Sequence, residues 1–205
     1  IYGKLDEDEL SIINEFHKAN GFRKLHLEVA RIGSSLQILH CVFFPDPRFD
    51  LPIFGVDVVS TPEGISAAIV DLSPVSKTLP NDIKEGLENT NYPKFNKVRE
   101  LPEWGRVFSP YVCFIRPFDK NEENLFLELV DKYLFILISY SANILPDPID
   151  SALTINRYER QKFYCLQQKR NDKTRNVLSK TFSQEWADRY IDVVLFDCPN
   201  SFKVS

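Results

Sequence analysis

Four ionisable residues are spaced so that strand geometry would gather them: His26, Glu28, His40 and Asp57. Side chains alternate between the two faces of a strand. In the run 25–32, His26 and Glu28 therefore share one face, while Leu25, Leu27 and Val29 take the other. In the run 36–44, His40 falls in with Leu36, Ile38, Val42 and Phe44. A hairpin closed at Gly33-Ser34-Ser35 that pairs Ile32 with Leu36 also pairs Glu28 with His40. If Phe44 pairs with Ile53 in the next strand, His40 lies opposite Asp57, which stands in the apolar run 54–59. Directly opposed residues have Cβ atoms about 4.5–5.5 Å apart. Two separate registers thus predict Glu28, His40 and Asp57 side by side, with His26 adjacent.

Ionisable groups among apolar neighbours are costly unless they are paired or used. Taken one at a time, each is as well explained by a hydrogen-bonded His–carboxylate pair that satisfies only itself. As a cluster they point to a functional site, because such surroundings shift pKa values. The residues alone leave two chemistries open. One is a proton-transfer site around a desolvated carboxyl. The other is a metal site of two histidines and a carboxylate.

Charge supplies a second candidate. Residues 157–180 carry eight basic groups (Arg157, Arg160, Lys162, Lys169, Arg170, Lys173, Arg175 and Lys180) against Glu159 and Asp172, a local net of +6 in a chain whose overall charge is −4. A solvated helix face accounts for this, and so does a docking surface for an anionic ligand or an acidic partner. Arg116 closes the apolar run Phe114-Ile115 and is followed by Pro117. A guanidinium there suits bidentate recognition of a carboxylate, though it also reads as a plain surface arginine.

The elements that must position these residues divide the chain in two. Strand-like runs occupy 10–16, 25–32, 36–44, 53–60, 65–72 and 111–116, separated by turn signals at Asp6-Glu7-Asp8, 33–35, 45–52 and 61–64. The connections are too short for crossover helices, so successive strands are expected to be antiparallel neighbours. Residues 73–110, with five prolines, read as loop. Helical patterns follow over 122–143, 150–170, 173–182 and 183–195, the last opened by Ser183. Strands first and helices afterwards predict an α+β fold, and nothing resembling a linker divides the 205 residues, so one domain spanning 1–205 is expected.

Composition excludes several classes. Hydrophobic residues at 43% and charged residues at 26% describe a globular chain, neither disordered nor collagen-like. A net charge of −4 argues against general nucleic-acid binding. The four cysteines (Cys41, Cys113, Cys165 and Cys198) form no CxxC pair, and two sit in apolar runs as core thiols suited to a reducing compartment. The apolar stretch 125–144 is interrupted by Glu128, Asp131 and Lys132, so no membrane span is expected. GxGxxG, P-loop, GxSxG and HExxH motifs are missing. The sequence opens on Ile1 rather than methionine, and further N-terminal residues are expected.

The segments Phe22-Arg23-Lys24-Leu25-His26-Leu27-Glu28, Ile38-Leu39-His40-Cys41-Val42 and Leu51-Pro52-Ile53-Phe54-Gly55-Val56-Asp57 strongly resemble the ferredoxin-dependent bilin reductases. So do Ser66-Ala67-Ala68-Ile69-Val70-Asp71-Leu72-Ser73-Pro74, Glu100-Leu101-Pro102-Glu103-Trp104-Gly105, Phe114-Ile115-Arg116-Pro117, Asn171-Asp172-Lys173-Thr174-Arg175 and Trp186-Ala187-Asp188-Arg189-Tyr190. The likeness runs from near Tyr2 to Asp197. It implies a three-layer α/β/α sandwich around a central antiparallel sheet, with biliverdin held between the sheet and the C-terminal helices. It implies four-electron reduction of biliverdin, one electron at a time from reduced ferredoxin, with protons from the enzyme and no metal, flavin or nicotinamide. By resemblance, Asp57 is the central proton donor, and His40 hydrogen-bonds the pigment and shares its protons. Glu28 stands beside the D-ring vinyl group and marks the branch that forms phycocyanobilin, and His26 lies behind His40. Arg116 and Lys173 match the residues that hold the propionates, with Lys24 assisting. Asn171 and Asp172 occupy the neighbourhood from which other branches recruit a second acid. Ferredoxin is the implied acidic partner, docking at 157–180, and the expected location is the cytoplasm or a plastid stroma. Formation of phycoerythrobilin or phytochromobilin is the alternative within the family. A non-catalytic bilin- or haem-binding protein and a metal enzyme at the same cluster are the alternatives outside it.

Overall fold

The computed structural model describes residues 10–200, so the turn expected at Asp6-Glu7-Asp8 lies outside the described residues. Six strands form one antiparallel sheet in chain order: β1 (Leu10–Ala19), β2 (Phe22–Ile32), β3 (Leu36–Pro45), β4 (Ile53–Thr61), β5 (Gly64–Ser73) and β6 (Cys113–Ile115). Short connections make the first pairs hairpins. The β1–β2 turn needs glycine at Gly21, where φ is +80° and a Cβ would come within 2.8 Å of Leu51.

Alternation along the strands sorts the sheet into two faces, each covered by helices. On one, Phe54, Val56, Val70 and Leu72 pack against α1 (Asn81–Glu88) and α2 (Lys120–Ser141) through Ile83, Leu87, Phe126, Leu129, Tyr133 and Leu137. On the other, Ala30, Val42, Phe44 and Ile53 pack against α3 (Ala152–Gln168), α4 (Asp172–Thr181) and α5 (Gln184–Tyr190) through Tyr164, Cys165, Leu178, Ala187 and Tyr190. Each large apolar side chain so buried contributes on the order of 1.5–3 kcal/mol. The result is the expected α/β/α layering.

The helices begin where side chains can cap them. Asp119 accepts from Glu122 N, Ser151 from Thr154 N and Ser183 from Trp186 N. The cap at Asp119 starts α2 at Lys120, ahead of the expected 122. Residues 73–110 are not all loop, since they contain α1 and a 3₁₀ turn at Glu103–Val107. Helix α1 has only Ile83 and Leu87 buried, and Gly86 within it weakens the helical signal. That glycine answers to packing, because a Cβ there would sit 3.2 Å from Ile136 of α2. The helix expected over 183–195 divides into α5 and a π-helical turn, Ile191–Leu195.

Candidate active site

Both registers expected from the sequence hold. Glu28 lies opposite His40, and His40 opposite Asp57. One row across the sheet reads Asn14, Glu28, His40, Asp57, Ile69 and Phe114, and the neighbouring row on the same face carries Phe16, His26, Val42, Gly55 and Asp71. His40 Nδ1 is 2.6 Å from Asp57 Oδ1, while the rings of His26 and His40 meet edge to face at 5.6 Å. Phe16 stacks on the outer side of His26 at 4.5 Å, and Phe196, just after the π turn, meets His40 edge-on at 5.6 Å.

Burial is uneven along the row. His26 is 0%, His40 6% and Glu28 7% exposed, whereas the Asp57 side chain retains 47% of its surface. The dry carboxyl is therefore Glu28. Burial raises its pKa above the ordinary range, with His40 and a hydrogen bond from Tyr190 opposing that rise. His26 is pushed down to about 3 by burial and by the nearby His40 and Lys24, so it stays neutral. For His40, burial is the largest single influence and pulls its pKa down. The charge and hydrogen bond of Asp57, helped by Glu28, outweigh it, and His40 holds its proton above the usual histidine range.

Two buried ring nitrogens, His26 Nδ1 and His40 Nε2, have no hydrogen-bond partner among the described residues. Buried polar atoms are normally satisfied. An imidazole bonded to a carboxylate at one nitrogen and unclaimed at the other is arranged to pass a proton to, or bond, a polar group brought into the site. Among the described residues, no three His, Cys, Asp or Glu side chains converge as metal ligands.

The other expected site residues are dispersed. Lys24 lies on the site face two residues before His26, but its ammonium is 2.5 Å from Asp197 Oδ1 and from Val194 O. Arg23 joins the same carboxylate at 2.7 Å. Together they fasten the C-terminal segment to the start of β2, beside a cleft of about 620 Å³ lined by Phe16, Phe22, Arg23, Lys24, Asp197 and Cys198. Arg116 is exposed one residue beyond β6, Lys173 is exposed in the first turn of α4, and Asn171 caps α4 by accepting from Lys173 N. Among the described residues, no hydrogen bond joins these three to the cluster. Within the basic segment, Arg157 is a core residue rather than a surface charge. It is 4% exposed and its guanidinium bonds Asp147 and the carbonyl of Arg48. Lys169 pairs with Asp192, Arg175 with Asp188 and the half-buried Lys162 with Glu159, leaving Arg160, Arg170, Lys173 and Lys180 as the exposed cations.

Sequence reasoning missed Asn14, Tyr190 and Phe196. Asn14 carried a signal: it is the polar member of the face Ile12, Asn14, Phe16 in the first strand. Tyr190 closed one of the family-like segments but no role followed from that, and Phe196 carried no signal, since the C-terminal segment must dock on the sheet before either reaches the site.

The ferredoxin-dependent bilin reductase family matches residues 1–197. The phycocyanobilin:ferredoxin oxidoreductase of Prochlorococcus marinus is 60% identical over 199 residues, which cover 97% of this chain and 75% of that protein. An enzyme of the same name from a Synechococcus species is 57% identical over 97% of this chain and 81% of its own length. The solved structure of tomato phytochromobilin synthase in complex with biliverdin superposes with a TM-score of 0.71 at 21% identity, covering 96% of this chain and 73% of that one, a likeness of fold.

Proposed function

Because this chain belongs to the ferredoxin-dependent bilin reductases, we propose that it reduces biliverdin to phycocyanobilin with four electrons delivered singly by reduced ferredoxin. The observation that carries the reading is the single sheet row that sets Glu28, His40 and Asp57 side by side. Adding an electron to a neutral conjugated tetrapyrrole is hard, and adding it to a protonated one is much easier. A carboxyl and a histidine sharing a proton supply that proton at the moment of need. The hydrogen-bonded His40–Asp57 pair serves this first protonation. Asp57, the more open of the two acids, gives the proton, and His40 replaces it. Glu28, kept dry and raised in pKa, is a second acid for a different position on the pigment. His26, neutral and stacked on Phe16, fixes the ring of His40 from behind.

Arg116 and Lys173 are exposed cations suited to the two propionates, and Lys24 joins them once the pigment draws it from Asp197. Asn171 acts through the cap that sets the start of α4, and hence Lys173. Ferredoxin, an anionic partner, docks on the exposed cations Arg160, Arg170 and Lys180. Among the described residues, no helix is long and apolar enough to cross a membrane.

The test is spectroscopic. Reduced ferredoxin and biliverdin are mixed with the protein, absorbance is followed, and the product is separated by chromatography. Bleaching of biliverdin followed by phycocyanobilin supports the reading. Phycoerythrobilin or phytochromobilin moves the chain to another branch, and binding without bleaching makes it a carrier.

A further inference from the structure

A second network enters the site from outside the row of acids. Asn14, on the edge strand β1, lies directly opposite Glu28. Its Oδ1 is 2.7 Å from His26 Nε2, and its Nδ2 donates to the Tyr190 hydroxyl at 2.8 Å. Tyr190 in turn donates to Glu28 Oε2 at 2.6 Å. The order of donors follows from the inventory of protons. His26, with Nδ1 unclaimed, places its proton on Nε2 and so turns the Asn14 amide nitrogen toward Tyr190. Tyr190 has one proton and two acceptors in reach, Glu28 Oε2 at 2.6 Å and Asn14 Oδ1 at 3.0 Å; the amide oxygen already accepts from His26, so the proton goes to the nearer carboxyl. The ring of Tyr190 is itself held in place, stacked on Trp186 one turn earlier at 4.7 Å and 11°.

We infer that Tyr190, oriented by Asn14, is a positioning residue that fixes the Glu28 carboxyl and sets its strength as an acid. The inference rests on the role given to Glu28 above. Because Oε2 accepts from Tyr190, a proton carried by Glu28 sits on Oε1. When that proton leaves for a carbon of the pigment, with the electron coming from ferredoxin, the carboxylate left behind is already hydrogen-bonded at Oε2. A hydrogen bond to a charged acceptor is stronger than one to a neutral acid, so it strengthens as the proton departs. Without it, the desolvated carboxyl is a poorer acid. The titratable groups that face Glu28 are His40 from β3, Asp57 from β4 and Tyr190 from α5, with His26 and Lys24 farther along β2. Among the described residues, only Tyr190 reaches Glu28 by a side-chain hydrogen bond.

The experiment compares the parent, Tyr190→Phe, Glu28→Gln and the double variant in single-turnover reduction of biliverdin across a pH series. Tyr190→Phe is expected to slow the two-electron stage that Glu28 serves about tenfold or more, the worth of a hydrogen bond to a charged group. It also moves the alkaline limb of that stage to higher pH, since a weaker acid keeps its proton longer. In the Glu28→Gln background, Tyr190→Phe adds nothing. An unshifted pH limb, or effects that multiply in the double variant, overturn the inference. Full product from Glu28→Gln alone at the parent rate overturns the reading of Glu28 instead. Should Tyr190→Phe fail to fold, Asn14→Ala on the edge strand must move the same limb upward. Absence of that movement is equally decisive against the inference.

Discussion

Replacing Asp57 by asparagine preserves shape and removes an acid, and the structure says where the consequence appears first. The His40–Asp57 contact is 2.6 Å long, and Asp57 is the main influence raising the pKa of His40 against burial. A hydrogen bond to a charged group contributes about 1.5–3 kcal/mol. With the Asp57 side chain 47% exposed, the lower end applies, about 1.5 kcal/mol or roughly tenfold in the protonation equilibrium of His40. The sign follows from burial: once the carboxylate is gone, desolvation dominates and His40 becomes neutral at a lower pH than in the parent. Nitrogen-15 or carbon NMR of the His40 ring across a pH series measures this directly. Turnover should fall about 10²–10⁴-fold, the usual worth of a positioned general acid, while biliverdin affinity changes little. An unmoved His40 titration would refute the coupling, and product formation at the parent rate would refute the proton-donor role of Asp57.

Three further outcomes follow from the same geometry. Glu28→Gln should release a partly reduced bilin, seen by chromatography, because Asp57 still serves the first protonation; full product at the parent rate removes Glu28 from the mechanism. Arg160→Glu with Arg170→Glu should slow ferredoxin-dependent reduction severalfold at low salt and flatten its salt dependence, leaving biliverdin binding unchanged; equal salt slopes would place docking elsewhere. Asp197→Asn should cost about 2 kcal/mol in urea denaturation at neutral pH, since it leaves the shielded Lys24 and Arg23 facing one another without their shared carboxylate. Although burial opposes ionisation, Lys24 and Arg23 hold the Asp197 pKa below its usual value, so its contribution is present above the usual aspartate range and fades as pH falls through the lowered value. Parent and variant should therefore converge in acid, and a gap that persists there contradicts the assignment.

How much of this was legible depended on the range of the interaction. The row of Glu28, His40 and Asp57 could be read because parity and short turns fix antiparallel register with few free choices, and both pairings hold. Asn14 was readable by the same parity. Tyr190 was not, for its contact with Glu28 spans 162 positions and depends on how α5 docks. Helix α1 was hidden by its length and by Gly86, a residue chosen for its contact with α2. Summing charge over 157–180 overstated the basic surface, because a count of residues does not distinguish Arg157, buried among carbonyls, from Arg160 in water.

The division of labour proposed for the two acids comes from the layering rather than from the sheet. On a bare sheet, Glu28 and Asp57 would flank His40 symmetrically. The helical layer breaks that symmetry: Tyr190 and Phe196 close over Glu28 and His40, and the cover thins toward Asp57, whose row continues into the half-buried Ile69 and Phe114. One carboxyl is thus held in a dry, hydrogen-bonded pocket and the other in a wetter place against a shared imidazole. Two acids of one chemical type in unlike surroundings release protons at different stages of a reaction. In the proposed reading a sequential four-electron reduction uses that separation, because each acid protonates its own position on the pigment and so readies that position for the next electron. On this proposal the C-terminal elements, fastened through Arg23 and Asp197, set the order of protonation on a sheet that supplies only the positions.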